Sequence, residues 1–218
     1  MTTPDKPASR ATVVRPVEFE RGGRAPDAAG GAVLPRATLV IGGARSGKSS
    51  YAEQLVEGAR AASGVTPVYI ATAEARDAEM AARIARHRDE RGERWITVEE
   101  PVYLTSALVA HGNAGRPVLV DCLTLWLSNL MLAGHDIGHE REQLAATIAC
   151  LAGPVVLVAN EVGLGIVPDN ALARAFRDEA GLLNQAMAQV CGRVVFMAAG
   201  LPLVMKHEAG AAAGVAPR

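Results

Sequence analysis

Gly42, Gly47, Lys48 and Ser49 stand at the spacing Gly-x-x-x-x-Gly-Lys-Ser, with Gly43, Ala44, Arg45 and Ser46 between them. Each residue type in that pattern has a physical reason. The glycines let the backbone turn tightly, so successive N–H groups point inward at phosphate oxygens. Lys48 reaches the β- and γ-phosphates, Ser49 offers a hydroxyl to Mg²⁺, and a helix beginning there sets its positive dipole end at the anion. The spacing thus predicts a nucleoside-triphosphate site, for which Lys48 is the catalytic cation.

Such a loop needs a strand before it and a helix after it. Thr38 to Ile41 supply the apolar run, and Ala52, Leu55, Val56 and Ala59 recur at helical spacing downstream. The pattern then repeats. Strands are expected at 67–72, 95–98, 117–121, 155–159 and 194–198. Helices are expected at 48–62, 77–91, 102–110, 123–132, 139–151 and 169–190. Strands separated by helices imply an α/β domain of the P-loop NTPase type, a mostly parallel central sheet with helices on both faces. Ligands of such sheets lie beyond the carboxyl ends of the strands. That rule brings Gly42–Ser49, Thr72–Ala73, Asp121 and Asn160–Glu161 to one edge. Asp121, ending a strand, fits the acid that holds Mg²⁺ directly or through water, and it equally fits an N-cap of the next helix.

Composition limits the partners. The 22 basic residues nearly balance 23 acidic ones and aromatic residues are 4% of the chain, so neither a nucleic-acid footprint nor a set of base-stacking platforms is present. A small charged ligand fits better. No apolar run reaches membrane-spanning length and the N-terminus lacks a signal-peptide core, so the chain is expected to be cytoplasmic. Cys122, Cys150 and Cys191 are odd in number and lack metal-ligand spacing, as do the five histidines; reduced thiols are expected. Residues 1–35 mix Pro, Gly, Ala, Arg and Asp without a period and are expected to form a flexible extension, with one domain over 36–206 and a flexible tail over 207–218.

The chain resembles the bifunctional adenosylcobinamide kinase/adenosylcobinamide-phosphate guanylyltransferase family of cobalamin biosynthesis. The resemblance is carried by Gly42 to Ser49, Tyr69-Ile70-Ala71-Thr72, Asp77 to Ile84 running into His87, Asn160 to Pro168 and Arg174 to Asp178. It implies two reactions: phosphorylation of the aminopropanol hydroxyl of adenosylcobinamide by ATP or GTP, then transfer of GMP from GTP to that phosphate with release of pyrophosphate. It makes His87 the carrier of the guanylyl group. It makes Ala71, Thr72 and Ala73 nucleotide contacts, and Arg88, Asp89, Glu90, Arg91 and Glu99 guanine-nucleotide contacts. Ser49 and Asp121 become the Mg²⁺ residues, and a homo-oligomer, a trimer, is implied.

Taken alone, His87 also suits an ordinary solvated helix whose arginines are balanced by Glu79, Asp89, Glu90 and Glu93. A neutral imidazole flanked by Arg83, Arg86, Arg88 and Arg91 is nevertheless chemically able to attack an α-phosphorus. Two departures from the family pattern stand out: Arg86 where a second histidine is frequent, and Asp121 where a glutamate is. The alternatives at this level are an enzyme limited to the kinase step, with His87 structural, and a P-loop switch or assembly NTPase acting on a protein partner.

Overall fold

A computed structural model describes residues 34–74, 92–112 and 115–207. Residues 1–33 of the expected extension, 208–218 of the expected tail and the helix expected over 77–91 lie outside the described residues, whereas His207, where the tail is expected to begin, still pairs with Arg193 in the sheet.

Apolar runs of β-branched residues form the centre. The strands are β1 (Ala37–Gly42), β2 (Val68–Ala71), β3 (Ile96–Glu99), β4 (Val118–Asp121), β5 (Val155–Asn160), β6 (Arg193–Ala198) and β7 (Leu201–His207). They make a sheet of order β3-β2-β4-β5-β1-β6-β7, in which every pairing is parallel except β6 with β7. The helices are α1 (Lys48–Ser63), α2 (Leu104–His111), α3 (Leu123–Ala133), α4 (Ile137–Cys150) and α5 (Ala171–Val190), with a 3-10 turn at Gly92–Arg94.

The two-residue side-chain period of a strand divides the core between the two faces. Leu39, Ile70, Val118, Val120 and Leu157 pack with Leu104, Leu108, Trp126, Leu130, Leu144, Ile148 and Leu183 of α2, α3, α4 and α5. Val40, Tyr69, Leu119, Val156, Val158 and Val195 pack with Tyr51, Ala52, Leu55 and Val56 of α1. Each large side chain withdrawn from water in this way contributes roughly 1.5–3 kcal/mol. Both faces are therefore covered, which is why the central strands read as continuous apolar runs.

Helix ends fall where their caps are. Gly64 and Gly134 stop α1 and α3 in the left-handed conformation, at φ 71° and 75°. Asn170 Oδ1 accepts from Ala173 N at 2.7 Å, which starts α5 at Ala171, later than the sequence pattern implied. One element is absent from the sequence reading: β7. Ala199 and Gly200, at φ 52° and 80°, turn β6 back into an antiparallel hairpin. Pro202 and the edge position explain why the run did not look like a strand.

Candidate functional site

The phosphate-binding loop joins β1 to α1. At Gly42 a Cβ would collide with the carbonyl oxygen of Met197 and the Ser46 hydroxyl, so the close approach of β6 requires glycine there. Gly47 sits at φ 93° and heads α1 with no side-chain cap, leaving its orphan N–H groups directed at the loop. Arg45 also has positive φ, 55°, and is exposed with Ala44 at the loop's crest. Two backbone bonds brace the loop against its neighbours: Glu161 N donates to Gly42 O at 2.9 Å, and Gly200 N to Ser46 O at 3.0 Å.

Lys48 is buried, and its Nζ reaches back across the loop to donate to Gly43 O at 2.6 Å. Burial pushes its pKa below the ordinary 10.5, and the negative charge of Asp121 opposes that shift. The ammonium is thus desolvated, aimed into the loop, and within electrostatic reach of Asp121. Ser49, half-buried, occupies the first turn of α1.

Parallel register assembles the rest of the edge. Ala71 pairs with Glu99 on one side and Asp121 on the other, while Gly42 pairs with Asn160 and Met197. Asp121 Oδ2 accepts the Tyr69 hydroxyl at 2.8 Å. Trp95 meets Tyr69 edge to face, with ring centroids 5.7 Å apart, and fixes that phenol. Glu99 is exposed at the end of β3 and Ala73 is half-buried just past β2.

Thr72 is brought to this edge with its hydroxyl turned inward. Oγ1 accepts from Cys122 N at 2.9 Å and donates to Cys122 O at 2.7 Å. Its own N–H donates to Asp121 O at 3.1 Å, and its carbonyl accepts from Asn129 Nδ2 at 2.9 Å. Thr72 therefore pins the chain immediately after Asp121. Asn129 also donates to Pro101 O at 3.0 Å, joining the ends of β2 and β3 to α3. Sequence reasoning passed over Tyr69 and Asn129 as site-shaping residues. The available signal was a single asparagine inside the apolar run Leu123 to Leu132, since a buried amide needs partners.

Asp121 is not the N-cap of α3. That position is Cys122, which makes no side-chain capping bond. The carboxylate is left with the Tyr69 hydroxyl and with the field of Lys48. Its oxygens and the Ser49 hydroxyl are hard donors of the kind Mg²⁺ takes, one or two from protein and the remainder from phosphates and water. The donor set therefore fits that ion. His87, Arg88, Asp89, Glu90 and Arg91 lie outside the described residues. Nearby, Thr124 Oγ1 accepts from Asn160 N at 2.6 Å, and Glu161 Oε1 accepts from Gly163 N at 2.6 Å, shaping the turn after β5.

A family profile described as cobinamide kinase / cobinamide phosphate guanyltransferase matches residues 38–205. The bifunctional adenosylcobalamin biosynthesis protein CobP of Pseudomonas aeruginosa is 51% identical over 172 residues, covering 78% of this chain and 97% of its own. The bifunctional adenosylcobalamin biosynthesis proteins CobU of Escherichia coli and of Salmonella typhimurium are each 40% identical, covering 77% of this chain and 98% of theirs. The matched region begins in β1 and ends in β7, so it contains the phosphate-binding loop and the whole strand edge.

Proposed function

The chain belongs to the cobinamide kinase/cobinamide phosphate guanyltransferase family, and from that premise we propose how its residues divide the two activities. It is a bifunctional adenosylcobinamide kinase and adenosylcobinamide-phosphate guanylyltransferase of cobalamin biosynthesis. The observation that carries the residue assignment is the buried Lys48 ammonium aimed into the loop of Gly42–Ser49 and electrostatically coupled to Asp121.

In the kinase step the aminopropanol hydroxyl attacks the γ-phosphorus of ATP or GTP, the nucleoside diphosphate leaves with the P–O bond's electrons, and the hydroxyl proton is released to solvent. The loop N–H groups, the α1 N-terminus and Lys48 hold the phosphates. Catalysis rests on positioning and on neutralising charge that grows on the leaving oxygen. Ser49 and Asp121 hold Mg²⁺, which when bound supplies further neutralisation of phosphate charge. In the transferase step a neutral His87 nitrogen attacks the α-phosphorus of GTP and expels pyrophosphate. A phosphate oxygen of adenosylcobinamide phosphate then attacks the same phosphorus, giving adenosylcobinamide-GDP and free His87. Ala71, Thr72 and Ala73 border the nucleotide, with Thr72 acting through Cys122 and Asp121. Arg88, Asp89, Glu90, Arg91 and Glu99 contact the guanine nucleotide.

We assign the enzyme to the cytoplasm, where the free thiols Cys122, Cys150 and Cys191 stay reduced. We also propose a homo-oligomer, a trimer. The apolar outer strand β7, with Leu201, Leu203 and Met205 exposed, supports burial against another copy. Among the described residues no helix is long and apolar enough to cross a membrane.

The test is labelling with GTP carrying ³²P at the α-position. Wild type gives acid-labile protein-bound label and His87→Ala does not, while both phosphorylate adenosylcobinamide. Corrinoid phosphorylation without label on wild type leaves a kinase-only enzyme, and the covalent assignment fails.

A further inference from the structure

The segment between β5 and α5 combines rigid anchoring with exposed apolar side chains. It begins at the nucleotide site, through Glu161 N to Gly42 O at 2.9 Å. Glu161 Oε1 then accepts from Gly163 N, and Val162 packs inward against the core. At the far end, Arg174 Nη1 donates to Pro168 O at 3.0 Å and to Asp169 O at 2.7 Å, while Asn170 caps α5. Between these ties Leu164, Ile166 and Val167 are 81%, 97% and 57% exposed.

A loop fastened at both ends has little freedom to fold such side chains away. Holding three large apolar groups in water forfeits the burial that would otherwise stabilise them, which fits a surface completed by a ligand. The loop leaves the carboxyl end of β5, the strand beside β1, so it stands on the same edge as the phosphate-binding loop. An acceptor attacking a phosphorus held there must occupy that edge. Cobinamide is a large macrocycle whose rim carries methyl groups and amide-tipped arms. It therefore offers both an apolar surface and hydrogen-bonding tips.

We propose that Leu164, Ile166 and Val167 form the apolar platform on which the corrin ring of the acceptor rests, a specificity surface used in both reactions. The inference rests on the kinase and guanylyltransferase reading above. The platform touches the body of the acceptor, far from its reacting hydroxyl, so it supplies binding common to ground and transition states. Its loss raises KM more than it lowers kcat.

The experiment is steady-state kinase assay of wild type, Ile166→Ser, Leu164→Ser and the conservative Ile166→Leu, with adenosylcobinamide varied at saturating ATP. Each serine variant is expected to raise the KM for adenosylcobinamide about tenfold, with kcat within about threefold of wild type. Ile166→Leu keeps KM within about threefold. Binding of a fluorescent GTP analogue reports that the nucleotide site is intact, and sedimentation reports assembly. Unchanged KM in both serine variants overturns the platform. So does a KM rise accompanied by dissociation of the oligomer, which makes the loop a subunit contact. Failure of the wild type to phosphorylate adenosylcobinamide defeats the underlying reading and is distinguishable from either result.

Discussion

The Tyr69 hydroxyl donates to Asp121 Oδ2 at 2.8 Å across the β2–β4 pair, so the carboxylate proposed to hold Mg²⁺ is aimed by a phenol on the neighbouring strand. Tyr69 is in turn buried and held edge-on by Trp95. Outer partners of this kind fix the direction of a metal-binding oxygen. Tyr69→Phe keeps the packing and removes the bond. We expect a stability loss of about 1 kcal/mol and a rise of about tenfold in the Mg²⁺ concentration giving half-maximal kinase rate. A Mg²⁺ titration at saturating ATP checks this, and an unchanged midpoint would show that Tyr69 does not aim the carboxylate.

Thr72 supports the same carboxylate from behind. Its hydroxyl accepts from the N–H and donates to the carbonyl of Cys122, the residue that follows Asp121, in a fully buried setting. Thr72→Val matches the shape but strands the buried Cys122 N–H, at a cost of roughly 1–3 kcal/mol, while the Cys122 carbonyl keeps the bonds it accepts from Leu125 N and Trp126 N. Thr72→Ser retains the hydroxyl and loses only a methyl. Denaturant unfolding is expected to separate the two variants clearly, with the valine form also slower in phosphoryl transfer. Equal midpoints for the two substitutions would contradict the pinning role.

These two relationships mark where the sequence stops being legible. The loop of Gly42–Ser49 can be read directly because its demands are local: glycine where β6 crowds Gly42, glycine at the φ 93° of Gly47, lysine one position later. The parallel sheet is equally readable, since strands covered on both faces become continuous apolar runs such as Val118 to Val120 and Val155 to Val158. Tyr69–Asp121 and Thr72–Cys122 join residues about fifty positions apart, and no local pattern encodes that pairing. The hairpin to β7 is hidden for another reason: its turn uses Ala199 at positive φ, a place where Asn, Asp or Gly is the recognisable signal. The Asp121 N-cap alternative failed because the strand runs to Asp121 itself and α3 starts two residues later.

The thiols give a prediction free of the active-site assignment. Cys150 is exposed, whereas burial pushes Cys122 up to about 11, aided by the Asp121 charge, and Cys191 up to about 12. One thiol per chain is therefore expected to react rapidly with a disulfide reagent at pH 8, and Cys150→Ser removes that phase. The other two react on unfolding. Their raised folded pKa values carry a pH signature too. The stability they contribute is fully present below the free-thiol value of 9.0 and is lost as pH rises toward 11–12, because the unfolded chain releases those protons first. Cys191→Ala should flatten the alkaline fall in melting temperature between pH 9 and 11. Rapid labelling of two or three thiols in the folded protein would contradict this burial.

Lys48 carries the opposite sign. Burial lowers its folded pKa below the ordinary 10.5, so protonation favours the unfolded chain. In the window ending at 10.5 the nucleotide-free protein gains stability from Lys48 as pH rises, since the unfolded chain holds the proton longer. A bound triphosphate needs that proton in place, so the stabilisation conferred by nucleotide should shrink over the same window. Lys48→Met removes both dependences. It is expected to weaken ATP binding about a hundredfold, as truncating a buried charged partner of phosphate does, while leaving the nucleotide-free protein at least as stable as wild type near pH 8. Thermal unfolding of the two proteins from pH 8 to 10, with and without ATP, isolates the Lys48 contribution as their difference. The Cys122 and Cys191 thiols are common to both and cancel to first order. If wild type and Lys48→Met respond to ATP alike across that range, Lys48 is not the phosphate-binding cation, and the loop's assignment as the nucleoside-triphosphate site loses its main support.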